Sequence, residues 1–187
     1  MSVAGGSSKR VVLTGPESTG KSRLTAHLSH CFGVPRAMEY ARAYLEAHGP
    51  GYDFEGVREM ARKHLAWQRL HVPESAALGV LDTDMINYKI WFEVVYGRCP
   101  PEVLDALESE TNHVYLLCAP DVPWAPDPLR ENPNDRPMLF ERHRAEIERL
   151  RRAYVVVEGV NEARVANAEA GFRRLAGGGG LHDCVIA

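Results

Sequence analysis

A chain of 187 residues, 45% hydrophobic and 25% charged, is long enough for one globular domain with a filled core. A net charge of −3 lacks the basic excess of a nucleic-acid binder, and no apolar run approaches the roughly 18 residues of a membrane span. These values exclude nucleic-acid and membrane partners and point to a soluble, cytoplasmic protein. The polar stretch 1–9 lacks the apolar core of a signal peptide. Cys31, Cys99, Cys118 and Cys184 show no CxxC spacing, which argues for reduced thiols.

In chain order, residues 1–8 read as a flexible start, and 10–15 (RVVLTG) as a first strand. Gly15-Pro16-Glu17-Ser18-Thr19-Gly20-Lys21-Ser22 follows, and Leu24, Leu28, Cys31 and Phe32 then recur at helical spacing. A second strand over 34–39, interrupted by Arg36, is the least regular. Val57, Met60, Ala61, Leu65 and Leu70 predict a helix over 54–72, with Asp53 as N-cap and Pro73 as stop. The third strand, 79–84, ends in Asp82-Thr83-Asp84, followed by helices over 85–96 and 101–110 and a fourth strand over 113–119. Residues 120–137 hold six prolines in eighteen positions, with Trp124, Arg130 and Arg136, and read as a long functional loop. A helix over 138–152, a fifth strand over 154–159 and a helix over 161–175 complete a domain spanning 9–176. The glycine-rich tail, 177–187, receives no role. Continuous apolar strands alternating with helices predict an α/β domain with a buried parallel sheet.

The stretch 15–22 meets the pattern G-x-x-x-x-G-K-[ST] between a strand and a helix. Glycines there let backbone N–H groups turn toward phosphate, assisted by the helix N-terminus. The nucleotide-binding set is Gly15, Glu17, Ser18, Thr19, Gly20, Lys21, Ser22 and Thr25, and the ligand it implies is ATP with Mg²⁺. Lys21 is expected to reach the β- and γ-phosphates, with Ser22 and Asp82 as metal ligands. Asp82 and Asp84 fall at the carboxyl edge of the sheet, where ligands of open α/β folds bind. Asp84 is a substrate-hydroxyl contact, a base or simply a helix cap. Glu39 is the other candidate base, with Arg42 as its partner or a phosphate clamp. Arg130 and Arg136 are expected to neutralise charge on the transferring phosphoryl group, with Trp124 anchoring the loop or stacking on substrate. After the fifth strand, Asn161 and Arg164 stand where adenine would be held. No N-K-x-D guanine-reading motif is present. The pairs His27/His30 and His64/His71 lack a third ligand, so no zinc site is expected.

Together, GPESTGKS (15–22), EYAR (39–42), LDTD (81–84), PW-x-x-D-x-x-R (123–130) and the strand-Gly-x-x-x-x-Arg element (154–164) resemble the ribosylnicotinamide kinase family, the kinase domain of NadR-type proteins. The resemblance spans residues 9–176. It implies a P-loop NTPase fold: a doubly wound parallel five-stranded sheet in the order 2-3-1-4-5, with flanking helices and an arginine-bearing lid over about 120–137. It further implies ATP-dependent phosphorylation of the 5′-hydroxyl of nicotinamide riboside, giving nicotinamide mononucleotide. The small-molecule substrate would meet Glu39, Tyr40, Arg42, Asp82 and Asp84. Gln68 would contact the carboxamide, and Tyr88, Trp91 or Trp67 the cationic ring. The sequence has no room for the adenylyltransferase or DNA-binding parts of bifunctional relatives. Two alternatives stay open: a kinase for another nucleoside or small hydroxyl metabolite, and an ATP-sensing module with little turnover. The oligomeric state is not read.

Overall fold

A computed structural model of the protein describes residues 8–129 and 134–177. Strand β1 (Lys9–Thr14) lies between β3 (Leu78–Asp82) and β4 (His113–Cys118), parallel to both. Strands β2 (Arg36–Ala37) and β5 (Tyr154–Val157) flank them, so the order is β2-β3-β1-β4-β5, as expected. Both sheet faces are covered, which is why the central strands read as unbroken apolar runs. Val12, Leu81, Tyr115 and Leu117 belong to one core, while Val11, Leu13, Val80, Leu116 and Cys118 belong to the other.

Helices α1 (Lys21–Phe32) and α7 (Asn161–Ala176) close the second core through Leu24, Leu28, Ala168 and Phe172. Gly171 lets α7 settle directly on the sheet: a Cβ there would stand 2.8 Å from Leu116 Cδ2. The first core takes Met60 from α3 (Phe54–His71) and Phe92 from α4 (Met85–Tyr96). It also takes Leu107 from α5 (Pro101–Ser109) and Ile147 from α6 (Arg136–Arg149). Each fully buried side chain of this size stabilises the fold by about 2 kcal/mol relative to exposure. Asp53 caps α3 by accepting from Gly56 N at 2.8 Å, as its position predicts. Among the described residues no helix is long and apolar enough to cross a membrane.

The sequence reading needs four corrections. Helix α2 (Tyr40–His48) was not expected; it buries only Ala41 and Leu45, too little to show a repeat. Strand β2 shrinks to two residues, because Arg36 is exposed and the chain turns away after Ala37. Helix α6 begins at Arg136, with Pro137 in its first turn, where a missing N–H removes no hydrogen bond. Arg136 is therefore a helix residue, not part of the loop. Finally, Cys31 is disulfide-bonded, whereas Cys99 and Cys118 are free thiols.

Candidate active site

The turn from β1 into α1 is shaped by its residue types. Gly15 has φ 127°, and a Cβ there would fall 2.7 Å from the Cys118 carbonyl oxygen, so only glycine fits. Ser18 and Gly20 also take positive φ, 57° and 81°, which lets the loop wrap inward. The Thr19 hydroxyl braces the loop by donating to Pro16 O at 2.9 Å. Lys21 Nζ donates to the Gly15 and Pro16 carbonyls at 2.9 and 2.6 Å, arching over the concavity. Ser18 Oγ accepts from Ala125 N at 2.8 Å, which ties the proline-rich segment to the loop. Arg136 donates to Val122 O at 2.9 Å and lies 5.8 Å from the Trp124 ring centroid.

Arg164 frames this end of the sheet. It is 5% exposed and donates to Thr19 O (3.1 Å), Gly159 O (3.0 Å), Ala119 O (2.9 Å) and Asp121 Oδ1 (2.7 Å). One guanidinium thus joins the loops after β1, β4 and β5.

A cavity of about 300 Å³ opens beside Gly15, Glu17, Ser18, Gly20, Lys21 and Ser22. Glu39 and Arg42 bring α2 to it, Asn87 and Trp91 bring α4, and His143 brings α6. Apart from Arg23, the remainder is largely apolar, including Leu45, Tyr52, Val94 and Leu129. Glu39 opens onto this cavity but is walled by protein elsewhere. Burial, then repulsion from Asp82, push its carboxyl up to about 7, against the pull of Lys21 and Arg42. Arg42 also pairs with Asp127 at 3.1 Å.

Asp82 lies beneath, 1% exposed, with no hydrogen-bond partner on either carboxylate oxygen. Burial raises its carboxyl, while Ser22, Lys21 and Arg42 oppose the rise. A buried acid whose oxygens make no close hydrogen bond, near a serine hydroxyl at a phosphate-binding loop, is a donor set that suits a hard divalent cation.

Several sequence-predicted residues lie elsewhere. Asp84 is wholly buried and caps α4, accepting from Ile86 N at 3.0 Å. It also accepts from Tyr115 Oη at 2.7 Å and meets His113 Nδ1 at 3.0 Å. Burial alone would raise its carboxyl, but these hydrogen bonds outweigh it and hold the group below the usual range. This corrects the base and substrate roles for Asp84, since its oxygens face the core rather than the cavity. Gln68 is also turned inward, with Nε2 donating to Thr83 O at 3.1 Å and meeting His64 Nε2 at 2.8 Å. Tyr88, 2% exposed, backs the Trp91 ring at 6.2 Å. Tyr40 and Trp67 pack on one another, ring centroids 5.7 Å apart. Thr25 is buried in α1 and Asn161 is exposed at the start of α7; like Trp124, neither lines the cavity. Arg130 lies outside the described residues. Tyr52, Asn87 and His143 line the cavity and were missed. Asn87 stands three positions after Asp84 on the same helix, the one local signal that could have found it.

Comparison with known proteins gives concordant results. The chain is 26% identical over 126 residues to the trifunctional NAD biosynthesis/regulator protein NadR of Escherichia coli (strain K12), covering 65% of this chain and 31% of that protein. The NadR of Salmonella typhimurium (strain LT2) matches with the same identity and coverage. The chain thus spans about a third of the length of the curated relatives it matches. A crystal structure of NadR protein in complex with NR superposes with a TM-score of 0.79 at 18% identity, over 97% of this chain and 53% of that one. A NadR structure with NAD and AMP-PNP gives 0.68 at 20% identity, over 91% and 50%. Shikimate kinase from Acinetobacter baumannii, in complex with shikimate, gives 0.50 at 15% identity, over 93% and 96%. The fold is therefore shared with small-molecule kinases. The AAA domain family matches residues 10–164, most of the chain, and the protein belongs to that family.

Proposed function

We propose that this chain is an ATP-dependent kinase that phosphorylates the 5′-hydroxyl of nicotinamide riboside, giving nicotinamide mononucleotide. The observation that carries the reading is the placement of Glu39 in the same cavity as Lys21 and Ser22, where burial pushes its carboxyl up to about 7. A base with that affinity can take the proton of an attacking hydroxyl at neutral pH. The backbone of residues 15–20 would cradle the phosphates of ATP, and Lys21 would leave its carbonyl partners to contact the transferred group. Ser22 and Asp82 would hold Mg²⁺, which when bound neutralises phosphate charge and aligns donor and acceptor. Arg42 and Arg136 would add positive charge around the reacting oxygens, with Arg130 as a further candidate from the sequence. Arg164 and Asn161 would border the adenine.

The choice of acceptor is supported by the relatives, two named for NAD biosynthesis and one solved with NR. It is also supported by the apolar part of the cavity. Trp91 and Tyr52 meet edge to face there, 4.9 Å between centroids, and offer a cationic ring an aromatic surface. The reaction would run in the cytoplasm. Purified protein incubated with Mg·ATP and a panel of nucleosides, with products read by mass, tests the reading. Phosphate appearing on nicotinamide riboside is the expected result. Phosphate on another nucleoside alone would replace the acceptor, and ATP binding without any transfer would favour a sensing role.

A further inference from the structure

Asn87 and His143 line the cavity without a role in the scheme above. His143 is 4% exposed, and its Nδ1 stands 2.8 Å from the Leu139 carbonyl oxygen. A carbonyl only accepts, so Nδ1 carries the hydrogen. Burial lowers the ring's pKa to about 4; Lys21 adds to this, and Leu139 O and Asp84 oppose it without reversing it. The ring is therefore neutral near pH 7, and Nε2 is a bare acceptor.

One end of the Asn87 amide approaches both His143 Nε2, at 3.2 Å, and Thr14 Oγ1, at 3.1 Å. With Oδ1 at that end, two acceptors face each other at His143. A half-turn of the amide puts the NH₂ there instead, donating to Nε2 and to the Thr14 hydroxyl, which can accept as well as donate. The opposite end makes no hydrogen bond among the described residues, and Asn87 is partly exposed where it borders the cavity.

We infer that Asn87 determines acceptor specificity: held by His143 and Thr14, its carbonyl oxygen faces the cavity and accepts a hydrogen bond from a sugar hydroxyl of the nucleoside. Position favours the sugar over the base. Thr14 directly precedes the phosphate loop, whereas the aromatic wall of Tyr52 and Trp91 lies in the apolar part of the same cavity. The sugar is the part of a nucleoside that joins its ring to the reacting hydroxyl. His143 acts through Asn87 and is a positioning residue.

This inference rests on the kinase reading, and its test separates the two. Wild-type enzyme is assayed with nicotinamide riboside and its 2′- and 3′-deoxy analogues. One analogue should lose about 100-fold or more in kcat/KM, because the amide oxygen loses its donor. Asn87→Ala should bring the riboside down to the level of that analogue and change the analogue little. An equal loss on riboside and both analogues would overturn the inference while leaving the kinase reading intact. Transfer to no nucleoside at all would overturn both. Should Asn87→Ala fail to fold, nitrogen NMR of wild-type His143 decides: a neutral Nδ1–H ring at pH 7 is expected, and a doubly protonated ring would turn the amide back and refute the assignment. His143→Phe should raise KM for the riboside more than it lowers kcat.

Discussion

The two sides of the cavity are built differently. The donor side is one continuous stretch, Thr14 to Ser22, shaped by a glycine against a neighbouring carbonyl and by two further residues at positive φ. The side proposed to hold the acceptor gathers Glu39, Arg42, Asn87, Trp91 and His143 from elements far apart in the chain. The first side takes its shape from one short stretch of chain, braced from outside by Arg164. The second depends on the docking of α2, α4 and α6, so its residues can be lost to the core, as Asp84 and Gln68 are.

The largest effect should come from the donor side. Lys21→Ala should lower kcat by about 1000-fold or more with an unchanged melting temperature, measured by steady-state kinetics and calorimetry. Near-normal turnover would remove the loop from the mechanism. On the acceptor side, Glu39→Gln should cost about 100-fold or more in kcat. Asp84→Asn should spare kcat within a few-fold but destabilise by about 2 kcal/mol, since it disturbs a buried cap and its partners. If the two exchanged phenotypes, Asp84 would be the base.

The pH profile sharpens the same contrast. Glu39 must be ionised to accept a proton, and burial raises its pKa, so kcat/KM of the free enzyme should climb as pH rises through about 7. A profile that is flat between pH 6 and 8 would contradict this assignment. The smallest effect is expected at the aromatic wall. Trp91→Leu should raise KM about 10-fold and leave kcat nearly unchanged, by loss of cation–π attraction and contact area.

How much was legible in the sequence follows the same division. The strand order came from family resemblance, and strand existence from apolar runs such as 113–119, whose burial on both faces leaves an unmistakable pattern. The phosphate loop was complete because its constraints are local. Helix α2 escaped because two buried positions show no period. Asp82 and Asp84 looked alike at the end of one strand, yet Thr83 at φ 68° separates them, one beneath the cavity and the other facing Tyr115 and His113. His143 carried no local sign; its place is set by α6 crossing the sheet, a tertiary fact.

Arg164 adds a consequence for reading variants of this protein. Because it rivets three loops through carbonyls and one carboxylate, the loops after β1, β4 and β5 deform as one body. A substitution there would leave the backbone amides of residues 15–20 chemically intact while freeing them to wander. In an activity screen it would resemble the loss of a ligand, and only a comparison of loop mobility with chemistry would reveal a lost brace.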